Sequence, residues 1–264
     1  MTANGTANAP SATGAGDPGT TNGPPGCVLV AGASGGIGHA LCQRIAQLYP
    51  TAKIIRLARS AAKLPALSAA TLDINVDIAD ERRIEQAVAT IPDDLAIDWA
   101  LVATGWLHDE GRGPEKTYRQ LDADAMLHAY RINAIGPALL IKHLVPRLHP
   151  NRPCRIGILS ARVGSISDNR LGGWHSYRAS KAALNMLIKN YAIELGRKRR
   201  GDIIVGLQPG TTDTALSAPF QRNVPEGQLQ SPEFTAEKLV AVMQGLAPEH
   251  SGGLFDFLGL PFEP

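Results

Sequence analysis

Tyr177 and Lys181 stand four residues apart in Ser176-Tyr177-Arg178-Ala179-Ser180-Lys181, at the start of a long helical pattern that stacks both side chains on one face. The spacing has a chemical use. A free phenol has a pKa near ~10 and is a sluggish proton donor and acceptor at neutral pH, whereas an ammonium within a few ångströms favours the phenolate and is expected to lower that value. Such a pair could protonate a carbonyl oxygen while a hydride arrives at the carbon. The same spacing also serves ordinary surface packing, so the pair needs support from elsewhere in the chain.

That support comes from a second cluster. An apolar run beginning at Cys27 leads directly into Gly32-Ala33-Ser34-Gly35-Gly36-Ile37-Gly38, and a helical pattern follows from residue 37 to 48. Glycines at a strand-to-helix turn let the backbone bend sharply and approach a pyrophosphate, while the free N–H groups and positive dipole end of the helix attract phosphate. A dinucleotide is the expected ligand, held by Gly32, Ser34, Gly36, Ile37 and Gly38. An NAD site of this kind usually carries an acid about 20 residues further on, yet no Asp or Glu occurs between His39 and Leu72. Instead Arg59 follows the second expected strand, and a guanidinium there suits the 2′-phosphate of NADP, unless it is simply a solvated surface arginine. Asp77 could accept from the adenine amine or could cap the next helix.

These residues need a scaffold that brings strand ends together. The strands expected after the first lie at residues 53–58, 71–76, 97–103, 154–160, 203–208 and 254–257, with helical patterns between most of them. Strands alternating with helices argue for a parallel sheet covered on both faces, a doubly wound α/β fold. Residues 105–121 and 210–231 break the rhythm as long Gly- and Pro-containing loops after strand ends, where such sheets place ligands. Trp106, Leu107, Trp174, Leu216 and Phe220 fall in or beside these pocket walls and suit an aldehyde or ketone with a hydrophobic body. His175, next to Trp174, is a further candidate for lining the pocket.

The 264 residues are 44% hydrophobic and 19% charged, enough for one full core over residues 27–264. Residues 1–26 hold a single charge and no Leu, Ile, Val or Phe, and are expected to form a disordered tail. With 26 basic against 24 acidic residues there is no field to gather nucleic acid, and no run is long enough to span a membrane. The basic run Arg197-Lys198-Arg199-Arg200 is expected to complement the end of the helix that bears Tyr177. Three scattered cysteines suit a reducing, cytoplasmic setting, and no spacing of histidines or cysteines suggests a metal.

Taken together, Gly-x-x-x-Gly-x-Gly after the first strand, Asn133 within Arg131-Ile132-Asn133-Ala134-Ile135-Gly136, Tyr-x-x-x-Lys and Pro209-Gly210 resemble the short-chain dehydrogenases/reductases, most of all the carbonyl-reductase and C-factor-like branch. The resemblance runs from Cys27 to the last residue. It implies a single Rossmann domain that reduces a small carbonyl compound with NADPH. Tyr177 would be the general acid/base, Lys181 would tune it and hold the nicotinamide ribose, and Asn133 would anchor a relay water. Thr104 and Gly105 would meet the adenine ribose. Pro209, Gly210, Thr212 and Thr214 would meet the nicotinamide amide and phosphates.

Two departures stand out. Where the family has a Ser-Ser pair whose second member binds the substrate oxygen, this chain has Ser160-Ala161, so Ser160 or Ser165 must fill the role or the chemistry is weak. The family's Asn-Asn-Ala-Gly is Val102-Ala103-Thr104-Gly105 here. A dinucleotide-binding regulatory or signalling protein with little turnover is therefore the alternative. Finally, the helix after Tyr177 is apolar on most sides, and in this family that surface meets another subunit, which implies a homodimer or homotetramer.

Overall fold

The computed structural model describes residues 23–264. Most of the tail expected over residues 1–26 lies outside the described residues. Of its last four, Pro25 is buried and Gly26 donates its N–H to Asp98 Oδ2 at 2.7 Å, so folded contacts begin just ahead of the expected boundary.

Strand β1 (Cys27–Ala31) is buried along its whole length. Val28 and Val30 face one apolar layer while Leu29 and Ala31 face the other, because successive strand residues point to opposite sides. A strand of this composition belongs in the middle of a sheet covered on both faces. The chain continues through α1 (Gly36–Leu48), β2 (Lys53–Ala58), β3 (Thr71–Asn75), α2 (Glu81–Ala89), β4 (Trp99–Val102) and α3 (Ala123–Tyr130). It closes with α4 (Gly136–Leu144), β5 (Arg155–Leu159), α5 (His175–Lys198), β6 (Ile203–Gln208), α6 (Pro232–Gly245) and β7 (Leu254–Asp256). Every expected strand forms, several of them trimmed at the ends.

All strand pairs are parallel, and the spatial order is β3-β2-β1-β4-β5-β6-β7. Helices α1 and α6 cover one face through Leu41, Ile45, Leu239 and Met243. On the other face α2, α4 and α5 bury Ile84, Leu140 and Ile188. The fold is the expected single doubly wound α/β domain. Strand order reverses between β1 and β4, so their following loops diverge and leave a crevice at the C-terminal edge of the sheet.

One charged pair is built into this frame. Arg56 and Asp73 are register partners on β2 and β3, joined by two hydrogen bonds of 2.7 and 2.6 Å, with a third from Arg56 to the Pro65 carbonyl. The guanidinium is buried, and each of its three nitrogens has an acceptor, which offsets the loss of water. At the other end of the chain's basic run, Arg199 reaches the Asp202 carboxylate and the His149 carbonyl just past α5. The three cysteines are buried, and burial pushes the Cys27 and Cys42 thiols up to about 12 and Cys154 to about 11.

Candidate active site

The crevice between β1 and β4 opens into two connected lobes of about 410 and 490 Å³. Tyr177 and Lys181 line the first, Asp77 and Ser34 the second, and Arg59, Thr104, Gly105, Trp106 and His108 border both. Residues expected at the dinucleotide thus meet on one cleft from the ends of β1, β2, β3 and β4.

Glycine is required at the turn for steric reasons. Gly32 adopts φ +81, and a Cβ there would lie 2.8 Å from the Ala103 carbonyl oxygen where β4 ends. A Cβ on Gly38 would lie 2.1 Å from the Gly32 oxygen. Helix α1 starts with Gly35 as N-cap, without a side-chain cap or an acid in its first turn. The N–H groups of Gly36, Ile37 and Gly38 precede the first helical hydrogen bond, from His39 to Gly35, and all three residues line the Tyr177 lobe. A concave backbone with unpaired donors at a helix start fits a pyrophosphate.

Around that turn, Arg59 is exposed and has no hydrogen-bond or ion-pair partner among the described residues. The Thr104 hydroxyl is buried without a partner. Asp77 accepts from the Ala79 N–H at 3.0 Å, and α2 is capped by Asp80, so capping is not what Asp77 does. Pro209 and Thr214 line the Tyr177 lobe, but Gly210 and Thr212 do not. Gly210 turns the chain at φ +74 against Gln230, and Thr212 is buried with its hydroxyl 2.9 Å from that of Thr235. Both are held within the loop that follows β6.

At the other wall, α5 carries Tyr177 and Lys181 on one face. Lys181 donates to the Leu159 carbonyl at 2.8 Å, and its Nζ lies 5.9 Å from the Tyr177 ring centroid. Burial pushes the phenol up to about 12 and the ammonium down to about 8, because each charged form loses its hydration. The expected lowering of the phenol is reversed here: loss of water dominates, and the ammonium is turned toward the end of β5. Asn133 sits in a π-helical turn, Arg131–Ile135, that joins α3 to α4. Its side chain accepts from the Trp106 N–H (2.7 Å) and donates to the Trp106 carbonyl (2.8 Å) and Ser180 Oγ (3.0 Å). It clamps the loop after β4 to α5 and lies off the cleft.

A row of rings extends from Tyr177. Tyr177, Trp174, Phe220 and His108 form a chain of contacts with centroid separations of 6.3, 5.1 and 5.6 Å. His108 Nε2 lies 3.2 and 3.1 Å from the Ala215 and Leu216 carbonyls, tying residues 105–121 to residues 210–231. Leu216 and Trp106 line the lobe as expected; Trp174 and Phe220 are not in its lining, Leu107 is buried away from it and His175 borders a separate hollow. Sequence reading missed His108, whose type carried no spacing signal. It also missed Glu115, a buried carboxylate in an otherwise polar loop that accepts from both the N–H and the hydroxyl of Ser176.

Residues 26–225 match the family model for short chain dehydrogenase. The chain belongs to the short-chain dehydrogenase family. A 1-hydroxy-2-glutathionyl-2-methyl-3-butene dehydrogenase of Rhodococcus sp. (strain AD45) is 32% identical over 230 residues, 85% of this chain and 93% of that protein. C-signal of Myxococcus xanthus is 31% identical over 172 residues, 65% of this chain and 93% of its own length. Among solved structures, the carbonyl reductase Sniffer of D. melanogaster superposes with a TM-score of 0.77 at 19% identity, over 90% of this chain and 99% of that one. NADPH-bound carbonyl reductase from chicken fatty liver gives 0.76 at 22% identity, over 90% and 94%. These last two are likenesses of fold.

Set on the short-chain dehydrogenase pattern, the serine question narrows. Ala161 does not line the cleft, whereas Ser160, the residue after β5, does. Its hydroxyl donates to Asn185 Oδ1 at 2.6 Å. Ser165 lies by a neighbouring hollow and bonds with Ser167 and the Asp168 N–H. Of the two candidates, Ser160 is the one with access.

Proposed function

We propose that this short-chain dehydrogenase is an NADPH-dependent reductase of an aldehyde or ketone. The observation that carries it is the convergence on one cleft of Tyr177 and Lys181 with an unpaired helix start and a free arginine. The residues fit the cofactor: Gly36, Ile37 and Gly38 offer N–H groups to its pyrophosphate, Thr104 a hydroxyl to the adenine ribose, and Arg59 a guanidinium to the 2′-phosphate. When bound, NADPH supplies a hydride to the substrate's carbonyl carbon. Tyr177, protonated at neutral pH, gives its proton to the carbonyl oxygen. Lys181, largely charged below about pH 8, stabilises the phenolate left behind and meets the nicotinamide ribose. Ser160 lines the same lobe as Tyr177, and Asn133 is a positioning residue rather than a catalytic one.

Trp106, Leu159, Ala215 and Leu216 in the lining favour a substrate with an apolar body, since the charged side chains bordering the Tyr177 lobe are Arg59 and Lys181 alone among the described residues. Exposed Met186 and Ile193 on α5 favour assembly as a homodimer or homotetramer. A second reading, a dinucleotide-binding signalling protein, draws on the absence of a hydroxyl at Ala161 and on the likeness to C-signal. The test is NADPH oxidation with a panel of carbonyl compounds. Steady consumption with apolar aldehydes or ketones is expected; a change in NADPH fluorescence without consumption would favour the second reading.

A further inference from the structure

We infer that Glu115 is a positioning residue for proton transfer: from the loop after β4 it caps the helix that carries Tyr177. The inference rests on the proposed role of Tyr177 as proton donor.

Helix α5 begins without a cap of its own. Its N-cap residue, Trp174, is in the left-handed region at φ 50, carries no capping side chain, and follows Gly172 and Gly173 at φ 63 and 64. A helix start leaves N–H groups without helical acceptors, and an acceptor has to come from elsewhere. Glu115 supplies it over a distance of 61 residues in sequence. Its Oε2 accepts from the Ser176 N–H at 3.2 Å, its Oε1 accepts from the Ser176 hydroxyl, and its main-chain oxygen accepts from the Trp174 N–H. Glu115 is 6% exposed, and among the described residues no Lys, Arg or His forms an ion pair with it. The positive end of α5 and these donors are what hold a buried carboxylate there.

The position has a consequence for chemistry. Ser176 precedes Tyr177 directly, and Trp174 packs edge-on against the Tyr177 ring. The loop that delivers Glu115 begins with Gly105, Trp106 and His108, all of which border the cleft. One side chain therefore fixes the substrate wall and the proton donor relative to each other. Proton transfer falls steeply with misplacement, about a hundredfold for an ångström, so loss of this cap should appear in turnover.

The test uses the full chain with NADPH and the best ketone from the panel above. Glu115→Gln places an amide donor against the Ser176 donors, and Ser176→Ala removes only the hydroxyl, which guards against a variant that fails to fold. Both are expected to lower kcat about tenfold or more, with KM and NADPH affinity within about twofold, and the double variant to be no worse than the poorer single one. Near-UV circular dichroism of the chain without NADPH should change for both, since Trp174 is released, and Glu115→Asp should recover part of kcat. A native kcat in Glu115→Gln and Ser176→Ala, with only the unfolding temperature lowered, would overturn the inference. Tyr177→Phe run alongside separates the two claims: if that variant reduces ketones at full rate, the donor role itself fails, and if it is inactive while Glu115→Gln is native, only the positioning role fails.

Discussion

The two walls of the cleft are built differently. On the β1 side the contacts are main chain: a glycine turn, a helix start and the end of β4, with the Gly32 and Ala103 backbones too close for a Cβ between them. On the α5 side they are side chains drawn from distant segments, where Asn133, His108 and Glu115 each tie one loop to another element. A wall made of backbone has one workable geometry and tolerates little change. A wall made of side-chain ties can be retuned piece by piece, which is how one fold serves many substrates.

The sharpest way to separate the walls is Tyr177→Phe, which should lower turnover by about 10²–10⁴ while NADPH titration shows native affinity. Gly38→Ala tests the opposite wall. Its Cβ would sit 2.1 Å from the Gly32 oxygen, so thermal unfolding should show a loss of about 1–3 kcal/mol and fluorescence titration a loss of NADPH binding. Arg59→Ala should narrow the preference for NADPH over NADH by about 1–3 kcal/mol, the range for a charge-assisted hydrogen bond; equal affinities in the unaltered protein would remove the assigned role. Next is pH. Lys181 is charged below and neutral above about 8, and Tyr177 keeps its proton to about 12, so kcat/KM for reduction should fall as pH rises through about 8 and that limb should vanish in the residual activity of Lys181→Met. The smallest effect is expected from Ala161→Ser, because the side chain at 161 does not line the cleft; a several-fold gain in single-turnover rate would show that a donor is missing after all.

The backbone wall was legible in the sequence because steric demands choose residue types. Gly32, Gly36 and Gly38 could hardly be anything else, and the apolar runs of β1 and β6 announce a sheet covered on both sides. The side-chain wall was only partly legible. Tyr177 and Lys181 share a helix face, which their spacing shows, but the burial that moves their proton affinities does not follow from that spacing. A loop's composition does not say that Thr212 turns toward Thr235 or that Gly210 packs against Gln230. Glu115 and His108 act through partners some 60 to 100 residues away, and no local pattern marks such ties.

The reversal of strand order between β1 and β4 also bears on how the molecule comes apart. Strands β1, β2 and β3 can pair among themselves, as can β4 to β7, but the register joining Val28 to Trp99 closes a loop of some seventy residues, which is entropically among the more demanding steps of assembly. The dinucleotide crevice straddles that seam and exists only once the halves have docked. A ligand seated across it acts as a clasp on the finished fold, holding back its rupture without hastening its formation.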